Sequence, residues 1–173
     1  MVLLSELVKI KSGVNGYRLT EEEKENLYEI PDLEYDYNHM NSAKDTSEIT
    51  YYQGIMRMQA VVISDKNKDK ILNQSYGVLI ADTTKIDSKY LCFVLNESQS
   101  IKRQISKFTQ GSIAKRLAPN LLKDLKLTLP PLEKQRKIGQ AYAAAIYNDF
   151  LQREKSIKLT KGVISALRRV DRN

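Results

Sequence analysis

The sequence predicts an α+β chain in which a mixed globular domain, residues 1–130, is followed by one long helix over residues 131–173. Three observations predict it. Between Gln110 and Ile138 the chain passes from a basic Gly/Ser loop (Gln110–Arg116) to an alternating run (Asp124–Leu129), then to Pro130-Pro131 and a helical pattern. From Leu132 to Val170 no proline interrupts that pattern, and Gly162 costs about 1 kcal/mol that packing can absorb. Upstream, runs of period 2 and period 3.6 are interleaved, as in a domain that packs helices on a sheet.

The 173 residues suffice for one ordinary core plus the helix. No apolar run approaches the ~18 residues of a membrane span, so no membrane association and a cytoplasmic location are expected. Residues 1–60 carry a net charge of −5, and residues 61–131 and 132–173 carry +6 each. An acidic first third joined to a basic remainder suggests one face for a polyanion and another turned away from it. Cys92 is the single cysteine and lies within YLCFVL, where it reads as a small buried hydrophobe.

In chain order, Ser5 is expected to cap a short helix over Glu6–Val8, followed by a turn at Gly13 and Gly16. Thr20 then caps a charged surface helix, TEEEKENLYEI, with Glu23 completing a capping box and Pro31 closing it. Asp32–Ser47 has no periodicity and reads as a loop. Its Tyr37, Asn38 and Asn41 can stack on bases or bond to their edges, and Asn pairs with adenine. His39, the only histidine, has no companion ligand, so no metal is expected.

Ile49–Tyr52 and Ile55–Ser64 read as strands, the second half-buried, with Met56, Met58, Ala60 and Val62 on one face. Ser64–Lys70 is a turn that leaves Lys66, Lys68 and Lys70 free to meet phosphates. After a strand at Tyr76–Ala81, Asp87 caps a helix with Tyr90, Leu91, Val94 and Leu95 as its apolar face. A further helix, Gln99–Phe108, buries Ile101, Ile105 and Phe108 and turns Lys102, Arg103 and Lys107 outward. In the loop beyond it Gln110, Gly111 and Ser112 allow close backbone approach, and Lys115 and Arg116 supply charge.

Pro131 cannot donate a hydrogen bond and keeps Pro130 out of the helical region, so the run Leu125, Leu127, Leu129 must stop there. The long helix then carries a stripe through Ile146, Phe150, Ile157, Ile164 and Leu167 that its own domain is too small to cover. It asks for a partner helix.

No Gly-rich cofactor loop, P-loop, Ser/His/Asp or Cys/His set is present, and no cofactor is expected. Pairings of Asp32 with Asp87-x-Lys89 or Asp124-x-Lys126 are what chance supplies in so Asp- and Lys-rich a chain.

Gly111, Ser112, Arg116 and Leu117, then Leu129, Pro130, Pro131 and Leu132, then Gln135 and Ile138 form an ordered series. It resembles the end of a target recognition domain and the opening of the spacer helix in type I restriction-modification specificity (S) subunits. The opening LSELVKIKSG and the segment NQSYGVLIADTTKIDSKYLCFVLN resemble the same family. The resemblance implies a non-catalytic, sequence-specific reader of double-stranded DNA that directs a methyltransferase (M) and a restriction (R) subunit. Usual S subunits carry two recognition domains and two spacer helices, whereas QGS…LPPLEKQ occurs once here. A half subunit is therefore implied, with a homodimer made by antiparallel pairing of the long helices and a two-part target. The alternative is an interaction module, or an orphan of the family, whose helix binds a partner without DNA recognition.

Overall fold

The structure is a computed structural model and describes residues 1–43, 48–53, 58–109 and 119–171. The expected architecture, a mixed domain followed by one long helix, is present.

The first residues form a two-residue strand β1 (Val2–Leu3), a 3-10 turn (Leu4–Glu6) and strand β2 (Val8–Ser12). The helix expected over Glu6–Val8 is absent because Val8 already pairs with Ala81 across the sheet. Helix α1 spans only Glu21–Glu25; Thr20 and Glu23 form the expected capping box. It stops early because the chain is drawn inward: the Tyr28 N–H donates to the Ile71 carbonyl at 2.8 Å and the Tyr28 side chain is fully buried. Pro31 does not close that helix. It stands in the first turn of α2 (Ile30–Asn38), where its missing N–H costs nothing. The stretch expected as a loop from Asp32 thus begins as a helix.

Strands β3 (Glu48–Gln53), β4 (Met58–Val62) and β5 (Tyr76–Ala81) complete an antiparallel sheet in the order β2-β5-β3-β4. Tyr51 lies opposite Gly77, where an added Cβ would fall 2.4 Å from the Tyr51 ring, so only glycine admits that ring. Ile55 and Met56 of the expected strand lie outside the described residues; the described part, β4, is not half-buried as its alternation suggested, since Ala60, Val61 and Val62 are all buried where α2 and the next helix cover it.

Helix α3 (Ser88–Glu97) is capped by the Asp87 carboxylate, which accepts from the Tyr90 N–H at 2.8 Å. Its Tyr90, Leu91, Val94 and Leu95 are buried as expected, together with Cys92, whose thiol is pushed well above its ordinary pKa by burial. Helix α4 (Gln99–Thr109) follows, then α5 (Pro119–Lys123) and the short strand β6 (Lys126–Leu127), which pairs with β1. The alternating run from Asp124 yields only that two-residue strand, though Leu125 and Leu127 are buried. Helix α6 runs unbroken from Leu132 to Val170. α3 is the middle layer, with β4 and β3 on one side and α6 on the other.

Candidate nucleic-acid interface

The joint between domain and long helix fixes where any reading surface stands. Gln135 is 2 % exposed, and every polar atom of its carboxamide is used. Its Oε1 accepts from the Asp87 N–H at 3.1 Å, and its Nε2 donates to the Lys85 carbonyl at 3.2 Å and the Pro130 carbonyl at 2.9 Å. One turn on, an added Cβ at Gly139 would lie 2.5 Å from Asp87 Oδ1 and 2.6 Å from Tyr90 N, so glycine alone lets α6 approach the start of α3 this closely. A turn further, Tyr142 accepts from Asn96 Nδ2 at 3.1 Å and donates to Glu97 Oε1 at 3.3 Å. Burial, foremost, keeps that hydroxyl protonated far above its ordinary range. Gln135 belongs to the motif that carries the family resemblance, but its partners lie up to 50 residues away and no local pattern shows its role.

Asn96 also closes a sheet edge. Its Oδ1 accepts from the Ala60 N–H and its Nδ2 donates to the Ala60 carbonyl, both at 2.8 Å, so the amide pairs with β4 as a neighbouring strand would. Gln104 on α4 repeats the device on β6, accepting from the Lys126 N–H at 2.9 Å and donating to its carbonyl at 3.0 Å. Neither carboxamide was singled out from the sequence, and only the tertiary contact reveals it.

The residues expected to read bases are divided by the α2 helix. Tyr37 is half-buried, packs on the core and hydrogen-bonds with Tyr142. Asn38 is half-buried at the helix end, and Asn41 is exposed beside a shallow groove lined with Lys89, Lys137, Gln140, Ala141 and Ala144. His39 stacks on Tyr35 with ring centroids 4.1 Å apart and lies 5.0 Å from the Phe150 ring. Its Nδ1 is 2.8 Å from the Tyr35 carbonyl oxygen, which can only accept, so that nitrogen carries a proton.

The lysines of the turn after β4 are not an open row. Lys70 binds both oxygens of Asp32 at 2.7 Å and is only partly exposed, so it is ion-paired and not free as expected. Lys66 lies 4.0 Å over the Tyr35 ring, while Lys68 is exposed. Between them Asn67 is fully buried and donates to Asp36 Oδ1 at 2.9 Å; the other Asp36 oxygen accepts from the Tyr28 hydroxyl at 2.7 Å. Burial first, and Asp36 second, hold the Tyr28 hydroxyl protonated. The turn is thus pinned to α2 by buried polar bonds, each worth about 1.5–3 kcal/mol where the acceptor is a carboxylate.

On α4, Ile101 is buried, Ile105 and Phe108 are half-buried, and Lys102, Arg103 and Lys107 face solvent as expected. Lys102 lies 3.5 Å from Glu97. Gln110, Gly111, Ser112, Lys115 and Arg116 lie outside the described residues.

α6 divides the expected pairing residues. Ile146 is 9 % exposed beneath its own domain and Phe150 packs beside His39, so Ile146 belongs to the intramolecular core and not to a free seam. Ile157, Ile164 and Leu167 are 47 %, 43 % and 63 % exposed, together with Leu159, Val163 and Val170. Among the described residues no group of three or more His, Cys, Asp or Glu could hold a metal ion, and no helix is long and apolar enough to cross a membrane.

A family model for the type I restriction modification DNA specificity domain matches residues 2–161. No curated protein matches the chain.

Proposed function

Because the chain belongs to the type I restriction-modification DNA specificity domain family, whose domain is a DNA-recognition module, we propose that it acts as a half specificity subunit. It carries no chemistry of its own: it reads DNA and directs a methyltransferase and a restriction subunit to the site. The observation that carries this reading is the unpartnered half of α6, where Ile157, Ile164 and Leu167 continue the stripe that begins on the domain. Burying each such side chain is worth roughly 1.5–3 kcal/mol, so pairing with a second helix is strongly favoured.

The residues from 151 to 170 span about 30 Å, enough for two copies to pair antiparallel with their domains at opposite ends. A two-fold dimer presents identical reading surfaces in inverted orientation, and the target is then an inverted repeat with a fixed, unread gap. Backbone contacts come from Arg103 and Lys107 on α4, and from Lys115 and Arg116 beyond it.

Selection of bound duplexes from a random pool, with the mass of the protein measured in parallel, tests this. A dimer at tens of micromolar and a gapped inverted repeat are expected. A monomer, or a single undivided site, would overturn the geometry. Purified chain with magnesium, DNA and S-adenosylmethionine is expected neither to methylate nor to cut.

A further inference from the structure

We propose that Lys126, together with Arg103 and Lys107, forms a single rail for the DNA backbone, and that Lys102 stands outside it. The inference deepens the DNA-reading role proposed above and rests on it. Its origin is the clasp between Gln104 and the main chain of Lys126, which ties α4 to β6. Leu125 and Leu127 point into the core, so the alternation of an extended chain turns the Lys126 side chain outward, where it is exposed.

Helix geometry decides which α4 cations stand beside it. Lys107 lies one turn beyond Gln104 and on its side of the helix, and Arg103 is its neighbour four residues back. Lys102 precedes Gln104 by two residues, about 200° round the helix, and is turned toward Glu97. Arg103 and Lys107 are like charges at a spacing that brings them together, and they repel each other. Among the described residues no carboxylate pairs with either of them or with Lys126. The acidic group nearest along the chain is Asp124, two residues before Lys126. Three exposed cations on two elements that a hydrogen-bonded carboxamide ties together fit a row of phosphates better than one compact anion.

The test is the salt dependence of binding to a mixed-sequence duplex, measured by fluorescence anisotropy between about 50 and about 200 mM salt. Replacing Lys126 with Ala leaves the clasp intact, since Gln104 bonds only to the main chain there. Lys126→Ala is expected to lower the log–log slope by about 0.9, Lys107→Ala to do the same, and Lys102→Ala to leave it unchanged. A Lys126→Ala slope equal to that of the steep wild type would overturn the rail and leave the DNA-reading role standing. Equal losses for Lys102→Ala and Lys126→Ala would overturn the exclusion of Lys102. Wild-type binding that is absent or indifferent to salt would remove both the rail and the function it deepens.

Discussion

The two halves of α6 are written in similar apolar periodicity and meet different fates. Over residues 132–150 the stripe is interleaved with Gln135, Gly139, Tyr142 and Ala143, which let the helix approach α3 closely and hydrogen-bond to it. Over residues 151–170 it is made of Ile157, Val163, Ile164 and Leu167, with Lys155, Lys158, Lys161, Arg168 and Arg169 among them, and every side chain is exposed save the half-buried Glu154. Small and amide side chains mark a contact made once, within the chain; large aliphatic ones flanked by cations stay exposed, the surface proposed above for a second helix. Periodicity alone does not separate the two.

The sharpest break between the halves comes from placing the same charge in each. Ile146→Glu buries an unpaired carboxylate and is expected to cost several kcal/mol, enough to lose cooperative unfolding of the domain. Ile164→Glu is expected to change the fold's stability by no more than about 0.5 kcal/mol while converting the proposed dimer to a monomer and abolishing the proposed specific binding. Denaturant melts and sedimentation on both variants check the pair, and comparable stability losses would erase the distinction. A smaller contrast is expected at glutamine. Gln135→Ala orphans the Asp87 N–H and two carbonyls and should cost about 1–3 kcal/mol in urea unfolding, whereas Gln152→Ala, on the exposed half, should cost almost nothing.

At glycine the sign itself should reverse. Gly139→Ala drives a methyl into backbone and is expected to lose about 1–2 kcal/mol, whereas Gly162, with nothing within 4 Å of its would-be Cβ, should gain up to about 1 kcal/mol of helix stability as Ala. Thermal melts followed by circular dichroism read both. The smallest effect is alkaline. Burial raises the Tyr142 pKa above its ordinary 10.0, so the folded chain keeps a proton that the unfolded chain gives up. That stability is full below pH 10.0 and declines as the pH rises beyond it, and Tyr142→Phe should flatten part of the decline in melts on either side of that value.

Much of this was legible in the residues. The bounds of α6, the Asp87 cap and the strand Tyr76–Ala81 follow from proline chemistry, capping and alternation, all of them local. Helix α2 was missed because Pro31 was read as a terminator when it stands at a first turn, and because the buried acids Asp32 and Asp36 hide the helical period behind a polar composition. The candidate interface was legible in part: the outward cations of α4 follow from its amphipathic pattern. The pairing of Lys70 with Asp32 and the clasp on Lys126 span 38 and 22 residues, so nothing short of the fold brings those groups together.

The amide of Asn96 on the outer side of β4 bears on how the chain avoids its own copies during synthesis. An incoming strand would have to displace two hydrogen bonds to Ala60 before it could add at the middle of that edge. At the opposite edge β2 presents the exposed Lys9 and Lys11, which set like charges against any second copy arriving in register. With both borders of the sheet guarded, strand-to-strand growth between copies, which would propagate into fibres, is disfavoured.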